Sequence, residues 1–322
     1  METILDLKNF NVTYINKHKS VYAVKDVSFE IYKGDSLGVV GESGSGKSTL
    51  AMGILKLLPE DGAKISGTAN FLGRDLTKLS EEEMKKIRWN ELSVIFQKSM
   101  NSLSPVHKIG TQIEDIYHVH KPKATKEEIM DKFVYLLDLV NLSDRVYNLY
   151  PHELSGGMLQ RVSIAMSLIH NPKLLIMDEA TTALDVVTQG QILDEISRME
   201  KELDMTRIMI THDMSVVATS CNKVAIMYAG ELMEIGYVKN VLKTPFHPYT
   251  KGLLSSFPSL KGEREKLEAI PGFLPDLSKQ VEGCIFAPRC SRATDICFKK
   301  KPKKTKMEDG RIVNCHLYGG EK

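Results

Sequence analysis

The chain has 322 residues, 42% apolar and 26% charged, with 43 Lys and Arg against 41 Asp and Glu for a net charge of +2. This length allows one large domain with appendages or two modest ones, and the near-neutral balance selects no particular partner. No run of eighteen apolar residues occurs, which excludes a membrane-spanning helix.

The first residues, Met1-Glu2-Thr3-Ile4-Leu5-Asp6, lack the basic and apolar regions of a secretory signal. A reducing cytoplasmic compartment is therefore expected, in which the five cysteines would not form structural disulfides. Residues 1–35 predict a small antiparallel sheet, begun by Ile4, Leu5 and Leu7. Val24 to Ile31 alternates with period two up to a Lys33-Gly34 turn.

Ser36-Leu37-Gly38-Val39-Val40 then reads as a short buried strand. Gly41-Glu42-Ser43-Gly44-Ser45-Gly46-Lys47-Ser48-Thr49 follows and fits G-x-x-x-x-G-K-[ST], the phosphate-binding P-loop pattern. Leu50 to Leu58 carries apolar residues at helical spacing. Strand, glycine turn and helix N-terminus together make an anion site, because the glycines turn backbone N–H groups inward and the helix dipole adds positive potential. Lys47 is placed to reach the β- and γ-phosphates, and the Ser48 hydroxyl to sit on Mg²⁺. A tyrosine at the mouth of such a site can stack on a base for about 1–3 kcal/mol. Tyr14 and Tyr22, either side of a polar loop, compete for that role.

From Ile65 to Ile95 a second β region is interrupted by a charged helix, where Ser80 and Glu83 have capping-box spacing. Leu92-Ser93-Val94-Ile95-Phe96 reads as a strand ending at Gln97, a side chain able to reach Mg²⁺ or an attacking water. Strand signals vanish over residues 98–152. A helix starting near Thr125 and running on through Phe133, Leu136, Leu137 and Val140 marks this stretch as a helical insertion.

Leu154-Ser155-Gly156-Gly157-Met158 opens an amphipathic helix and offers a second anion-binding N-terminus. One pocket has little need of both, so economy suggests two chains facing each other, each supplying one motif. Leu174-Leu175-Ile176-Met177 reads as a buried parallel strand with Asp178 and Glu179 at its C-terminal end, where α/β sheets bind ligands. Asp178 suits Mg²⁺ and Glu179 suits polarisation of water. Ala183-Leu184-Asp185 begins a further helix. Arg207 to Thr211 is another buried strand, with His212 at its end able to bond a γ-phosphate, and Val224 to Gly236 predicts a closing hairpin.

In this order and spacing the motifs resemble an ABC transporter ATPase over roughly residues 3–240. The resemblance implies Walker A on Gly41 to Thr49, the Q-loop on Gln97 and the signature on Leu154 to Met158. It further implies Walker B on Leu174 to Asp178, Glu179 as catalytic glutamate, the D-loop on Ala183 to Asp185 and the switch histidine on His212. Ser48, Gln97 and Asp178 would hold Mg²⁺, and Glu179, His212 and Gln97 would serve hydrolysis of ATP to ADP and phosphate. Thr244-Pro245-Phe246-His247-Pro248-Tyr249, Ile270-Pro271-Gly272 and Gly283 to Cys290 are similar to the extension of oligopeptide and dipeptide importer ATPases, a subfamily that also serves nickel and oligosaccharides.

Cys284, Cys290, Cys297 and Cys315 are spaced C-x5-C-x6-C-x17-C, and four thiolates can hold zinc or a four-iron cluster. The subfamily resemblance implies a [4Fe-4S] cluster here, with zinc the alternative. Cys221 reads as a small buried residue outside the group, and the six lysines of Lys299 to Lys306 as a solvated basic loop.

The expected fold is α/β, a P-loop NTPase of ABC type with a mixed core sheet, an antiparallel β subdomain and a helical subdomain. Residues 1–97 and 153–240 form the nucleotide-binding core, 98–152 the helical insertion, and 241–322 the cysteine-containing extension. The expected function is ATP-driven uptake of oligopeptides or dipeptides, by a subunit on the cytoplasmic face of the membrane. Its expected partners are a second ATPase subunit, usually a different one though a homodimer stays open, two transmembrane permease subunits and indirectly an extracytoplasmic solute-binding protein. No nucleic acid is expected. The alternative of another class is a soluble ABC ATPase of translation or DNA repair, which usually carries two cassettes or a long coiled coil.

Overall fold

The computed structural model describes residues 1–16, 19–96, 103–181, 185–256 and 270–319. Two compact units emerge. One comprises residues 5–31, 35–78 and 210–322, and the other 1–4, 32–34 and 79–209.

The first unit holds the long strands β1 (Thr3–Asn16) and β2 (Lys19–Tyr32), apart from their outermost residues. With β4 (Ala63–Phe71) and β5 (Arg74–Asp75) they make a sheet in the order β2-β1-β4-β5, with β1 and β4 antiparallel. This is the small antiparallel sheet expected of the N-terminal region. Its alternation has a physical basis: Val27, Phe29 and Ile31 are buried on one face, while Ser28 and Glu30 turn away.

A second sheet in the same unit pairs β3 (Ser36–Val40) in parallel with β9 (Lys223–Tyr228). β9 turns back antiparallel into β10 (Glu231–Tyr237), the hairpin read from the sequence. The extension then adds strands that the sequence did not reveal: β12 (Ile312–Asn314) pairs with β10, and β11 (Lys304–Lys306) with β12. The expected basic loop is thus in part an edge strand, while its lysines stay exposed as expected. Lys304 reaches the Asp26 carboxylate at 2.8 Å, and Lys301 reaches Glu231 at 3.4 Å.

The extension is fastened by a buried ion pair on the same hairpin. Glu234, fully buried, accepts N–H groups from Phe246 and His247, the latter at 2.9 Å. Arg311 approaches that carboxylate at 3.4 Å, donates to the Thr244 carbonyl at 2.6 Å and lies 3.9 Å from the centroid of the Phe246 ring. Between them, α8 (Val238–Lys243) and α9 (Pro248–Ser255) pack onto Val224, Ile226, Tyr228 and Met233. Cys221 follows α7 (Met214–Ser220) and is half-buried against this core, where full burial was expected.

In the second unit β6 (Leu92–Ile95) runs parallel to β7 (Leu174–Asp178). Between these neighbours in space lies the helical insertion, with α3 (Ile109–His120) and α4 (Lys126–Leu139). α4 starts where Thr125 caps the Glu128 N–H, and it buries Ile129, Phe133, Leu136 and Leu137 at helical spacing. The Ser80–Glu83 capping box forms as read, opening α2 (Glu81–Ile87). Among the described residues no helix is long and apolar enough to cross a membrane.

Candidate nucleotide site

β3 delivers the chain into the glycine loop, and α1 (Lys47–Ile54) leaves it. Three positions require glycine for distinct reasons. A Cβ on Gly41 would run into the Met227 carbonyl, and one on Gly46 into the Ala23 carbonyl. Gly44 and Gly46 also have φ of 80° and 95°, left-handed values that cost side-chain-bearing residues energy. The loop is stitched by Ser45 N–H to the Glu42 carbonyl at 3.1 Å, and by Gly230 N–H to the Ser45 carbonyl at 2.9 Å.

Lys47 is buried in the cradle. Its Nζ donates to the carbonyls of Gly41 and Glu42 at 2.8 and 2.9 Å. Ser43, Gly44 and Ser48 are exposed on the loop, where a phosphate can be met. The half-buried Tyr14 exchanges a 3.3 Å hydrogen bond with Thr49 of α1, which sets its ring beside the cradle. Tyr22 is drawn elsewhere: its N–H donates to the Leu277 carbonyl, and its hydroxyl accepts from Gln280 at 3.1 Å. His212 belongs to the same unit. It is exposed at the end of β8 (Thr206–Thr211), directly before Asp213, which caps α7 by accepting the Ser215 N–H.

The second unit holds the other motifs. β7 is buried along its whole length and ends in Asp178, with Glu179 next at φ 50°. Such a left-handed turn at a non-glycine residue is sparsely populated and turns the chain sharply after the strand. α5 (Gly156–Ser167) begins at Ser155, whose hydroxyl accepts the Met158 N–H at 3.3 Å, while Leu154 is buried beneath. Gly156 has open space where a Cβ would stand, and Gly157 lies against the Thr188 methyl. Thr188 belongs to α6 (Val186–Glu202), which Asp185 caps through the N–H groups of Val187 and Thr188. Those bonds, with the Thr188 hydroxyl, hold the Asp185 carboxyl below its usual range. Gln97, Ala183 and Leu184 lie outside the described residues.

The four C-terminal cysteines line one cavity of about 740 Å³, together with His247 and Phe286. Burial pushes the Cys284 thiol up to about 12, and the nearby sulfurs of Cys315 and Cys297 add to the effect. Cys290 and Cys315 are also raised, chiefly by burial. Among the described residues no group of three or more His, Cys, Asp or Glu is set close enough to hold a metal ion.

Sequence reasoning missed two side chains that touch the P-loop from the extension. The Tyr249 hydroxyl accepts the Glu42 N–H at 3.1 Å, and Arg289 meets the Glu42 carboxylate at 2.9 Å. The arginine stands in Gly283 to Cys290, a stretch that reads as a family mark, but nothing local signals a partner so far away in the chain.

Comparison with known proteins agrees with this geometry. Residues 24–182 match the family described as ABC transporter, and residues 233–297 the oligopeptide/dipeptide transporter C-terminal region. The chain is 42% identical over 324 residues to the oligopeptide transport ATP-binding protein AppD of Bacillus subtilis, covering 100% of this chain and 98% of the relative. It is 43% identical to OppD of Escherichia coli, covering 98% and 93%, and 42% identical to the dipeptide transport ATP-binding protein DppD of B. subtilis, covering 98% and 95%. Among solved structures it is similar to the ATP-binding cassette MJ0796 in a dimeric post-hydrolysis state with ADP and phosphate. There the TM-score is 0.65 at 29% identity, covering 73% of this chain and 99% of that one.

Proposed function

The chain belongs to the ABC transporter ATP-binding proteins of the oligopeptide and dipeptide importers, and from that premise we propose how its residues use ATP and for what. It is an ATPase subunit of an ABC importer; we infer that the solute is a short peptide. Full-length similarity to AppD, OppD and DppD carries this reading, since it includes the extension as well as the cassette.

In this reading the P-loop N–H groups from Ser43 to Thr49 and the Lys47 ammonium hold the phosphates, and the Tyr14 ring supports adenine. Ser48, Asp178 and Gln97 would hold Mg²⁺, which would supply positive charge to offset that of the phosphates. Glu179 takes the proton of the attacking water, while His212 bonds the γ-phosphate and registers its loss. Ser155, Gly156 and Gly157 contact the nucleotide of a partner subunit, so binding closes a dimer and hydrolysis releases it. Ala183, Leu184 and Asp185 are the D-loop in this reading.

The division into a nucleotide-binding core (1–97 and 153–240), a helical insertion (98–152) and an extension (241–322) follows the same reading. The insertion would pass closure on to two permease subunits at the cytoplasmic face of the membrane. A second ATPase subunit, usually a different one though a homodimer stays open, and an extracytoplasmic solute-binding protein would complete the assembly.

Cys284, Cys290, Cys297 and Cys315 would hold a [4Fe-4S] cluster, with zinc the alternative. The four cysteines that line one cavity support this, though their sulfurs would have to draw together to ligate a metal. Such a group would supply structure or redox sensing and take no part in hydrolysis.

Uptake tests the peptide reading. Membrane vesicles bearing the assembled transporter should accumulate labelled di- and oligopeptides only with ATP, and permease subunits should co-purify with the chain. Accumulation of nickel or oligosaccharide in place of peptide would overturn the solute, and co-purification with ribosomes or DNA would overturn the transporter.

A further inference from the structure

Glu42, the second residue of the P-loop, is held on three sides at once. Its carbonyl accepts the Lys47 ammonium at 2.9 Å. Its N–H donates to the hydroxyl of Tyr249, a fully buried residue on α9. Its carboxylate meets Arg289 at 2.9 Å.

Arg289 is itself fixed. Nε donates to the Pro271 carbonyl at 2.7 Å and one terminal nitrogen to the Ile270 carbonyl at 3.1 Å. The other reaches both Glu42 and the Tyr228 hydroxyl, the latter at 3.3 Å. The side chain is only 7% exposed. All three nitrogens are engaged, so the planar fork is preorganised and holds a carboxylate in one place. Behind it, the rings of Tyr228, Tyr249 and Phe286 pack with centroids 4.8 to 5.3 Å apart.

The extension thus supplies two of the three holds on Glu42. Through the Glu42 carbonyl they also set where the Lys47 ammonium rests. We propose that Arg289 and Tyr249 are positioning residues of the nucleotide site. The extension is then a brace for the P-loop, and its loss costs affinity for ATP. This rests on the reading of Gly41 to Thr49 as an ATP site. The brace also gives the four-cysteine cavity a route to the nucleotide, since Phe286 lines that cavity and packs on both tyrosines.

The test is titration of the full chain with a fluorescent ATP analogue, alongside the thermal midpoint of each variant. Glu42→Gln and Tyr249→Phe preserve shape and each weakens one hold, while Arg289→Lys keeps the charge and gives up the fork. Each should weaken binding, Glu42→Gln by on the order of tenfold, with little change in midpoint. Glu42→Gln combined with Arg289→Lys should lose no more than the worse single change, because the two remove one shared contact. Affinities within twofold of wild type in all three single variants would overturn the brace, as would independent, additive losses at Glu42 and Arg289. If the unaltered chain failed to bind the analogue, the ATP reading itself would fall, a result distinct from either.

Discussion

Lys47 Nζ donates to the Gly41 carbonyl at 2.8 Å, so the cation of the P-loop is bonded to the loop's own first residue. The Glu42 carbonyl is a second acceptor and the Ser45 hydroxyl, at 3.4 Å, a third polar neighbour. The ammonium is thereby kept at the centre of the cradle. Lys47→Ala removes the main cation facing the phosphates and should weaken ATP binding on the order of a hundredfold. Titration with a fluorescent analogue reads this directly, and an unchanged affinity would exclude Lys47 from the site.

Glu179→Gln separates binding from chemistry. The amide keeps the side chain's size and the φ of 50° at this turn but cannot take a proton. ATP should still bind, while phosphate release falls by roughly 10²- to 10⁴-fold, the range of a lost general base. Light scattering should then show an ATP-dependent dimer that persists. Wild-type turnover in this variant would remove Glu179 from the reaction.

Local chemistry made the nucleotide motifs readable. The turns at Gly44 and Gly46, the Ser80–Glu83 box and the buried run of β7 are each written within a few neighbouring residues. The extension was readable only as a family mark. Its contacts join residues far apart: β12 adds to β10, Arg311 locks Glu234, and Arg289 reaches back to Glu42. No periodicity encodes such pairings. The lysines from 299 to 306 illustrate the cost, since composition alone reads as a loop where β11 forms.

The choice between Tyr14 and Tyr22 now has a physical basis. Tyr14 bonds Thr49 of α1, whereas Tyr22 is occupied with Leu277 and Gln280. Tyr14→Ala should weaken ATP about tenfold, within the range of one stacked base, and leave inorganic triphosphate unaffected. Tyr22→Ala should change neither. Competition titrations with the two ligands decide it, and a loss confined to Tyr22→Ala would reverse the assignment.

His170 gives the helical part of the chain an acid limit. Burial lowers its pKa to about 4, helped by the neighbouring His120, Lys121 and Lys132. Its ring stacks on Tyr117 with centroids 4.9 Å apart. The folded value lies below the ordinary one of about 6.5, so the neutral ring's contribution is complete above pH 6.5. It is lost as pH falls from there through about 4. His170→Phe keeps the stack without a titrating nitrogen, and its thermal midpoint should fall less than the wild type's between pH 6.5 and 4. Parallel curves for the two proteins would show that His170 does not set the limit.

The four-cysteine cavity can be read by its metal content. Burial holds Cys284, Cys290 and Cys315 towards the neutral thiol, an unfavourable state for ligands unless a cation is present to offset it. On the cluster reading, protein purified without oxygen should contain about four irons and four sulfides per chain, as a four-iron cluster requires. Chelation or Cys290→Ser should remove them and lower the thermal midpoint. Because Phe286 lies between the cavity and Tyr249, removal should also weaken the fluorescent nucleotide, while a chain without the brace would bind it equally in both states. One zinc per chain with no iron would replace the cluster by a structural zinc site. Neither metal would leave the cavity as a set of free thiols.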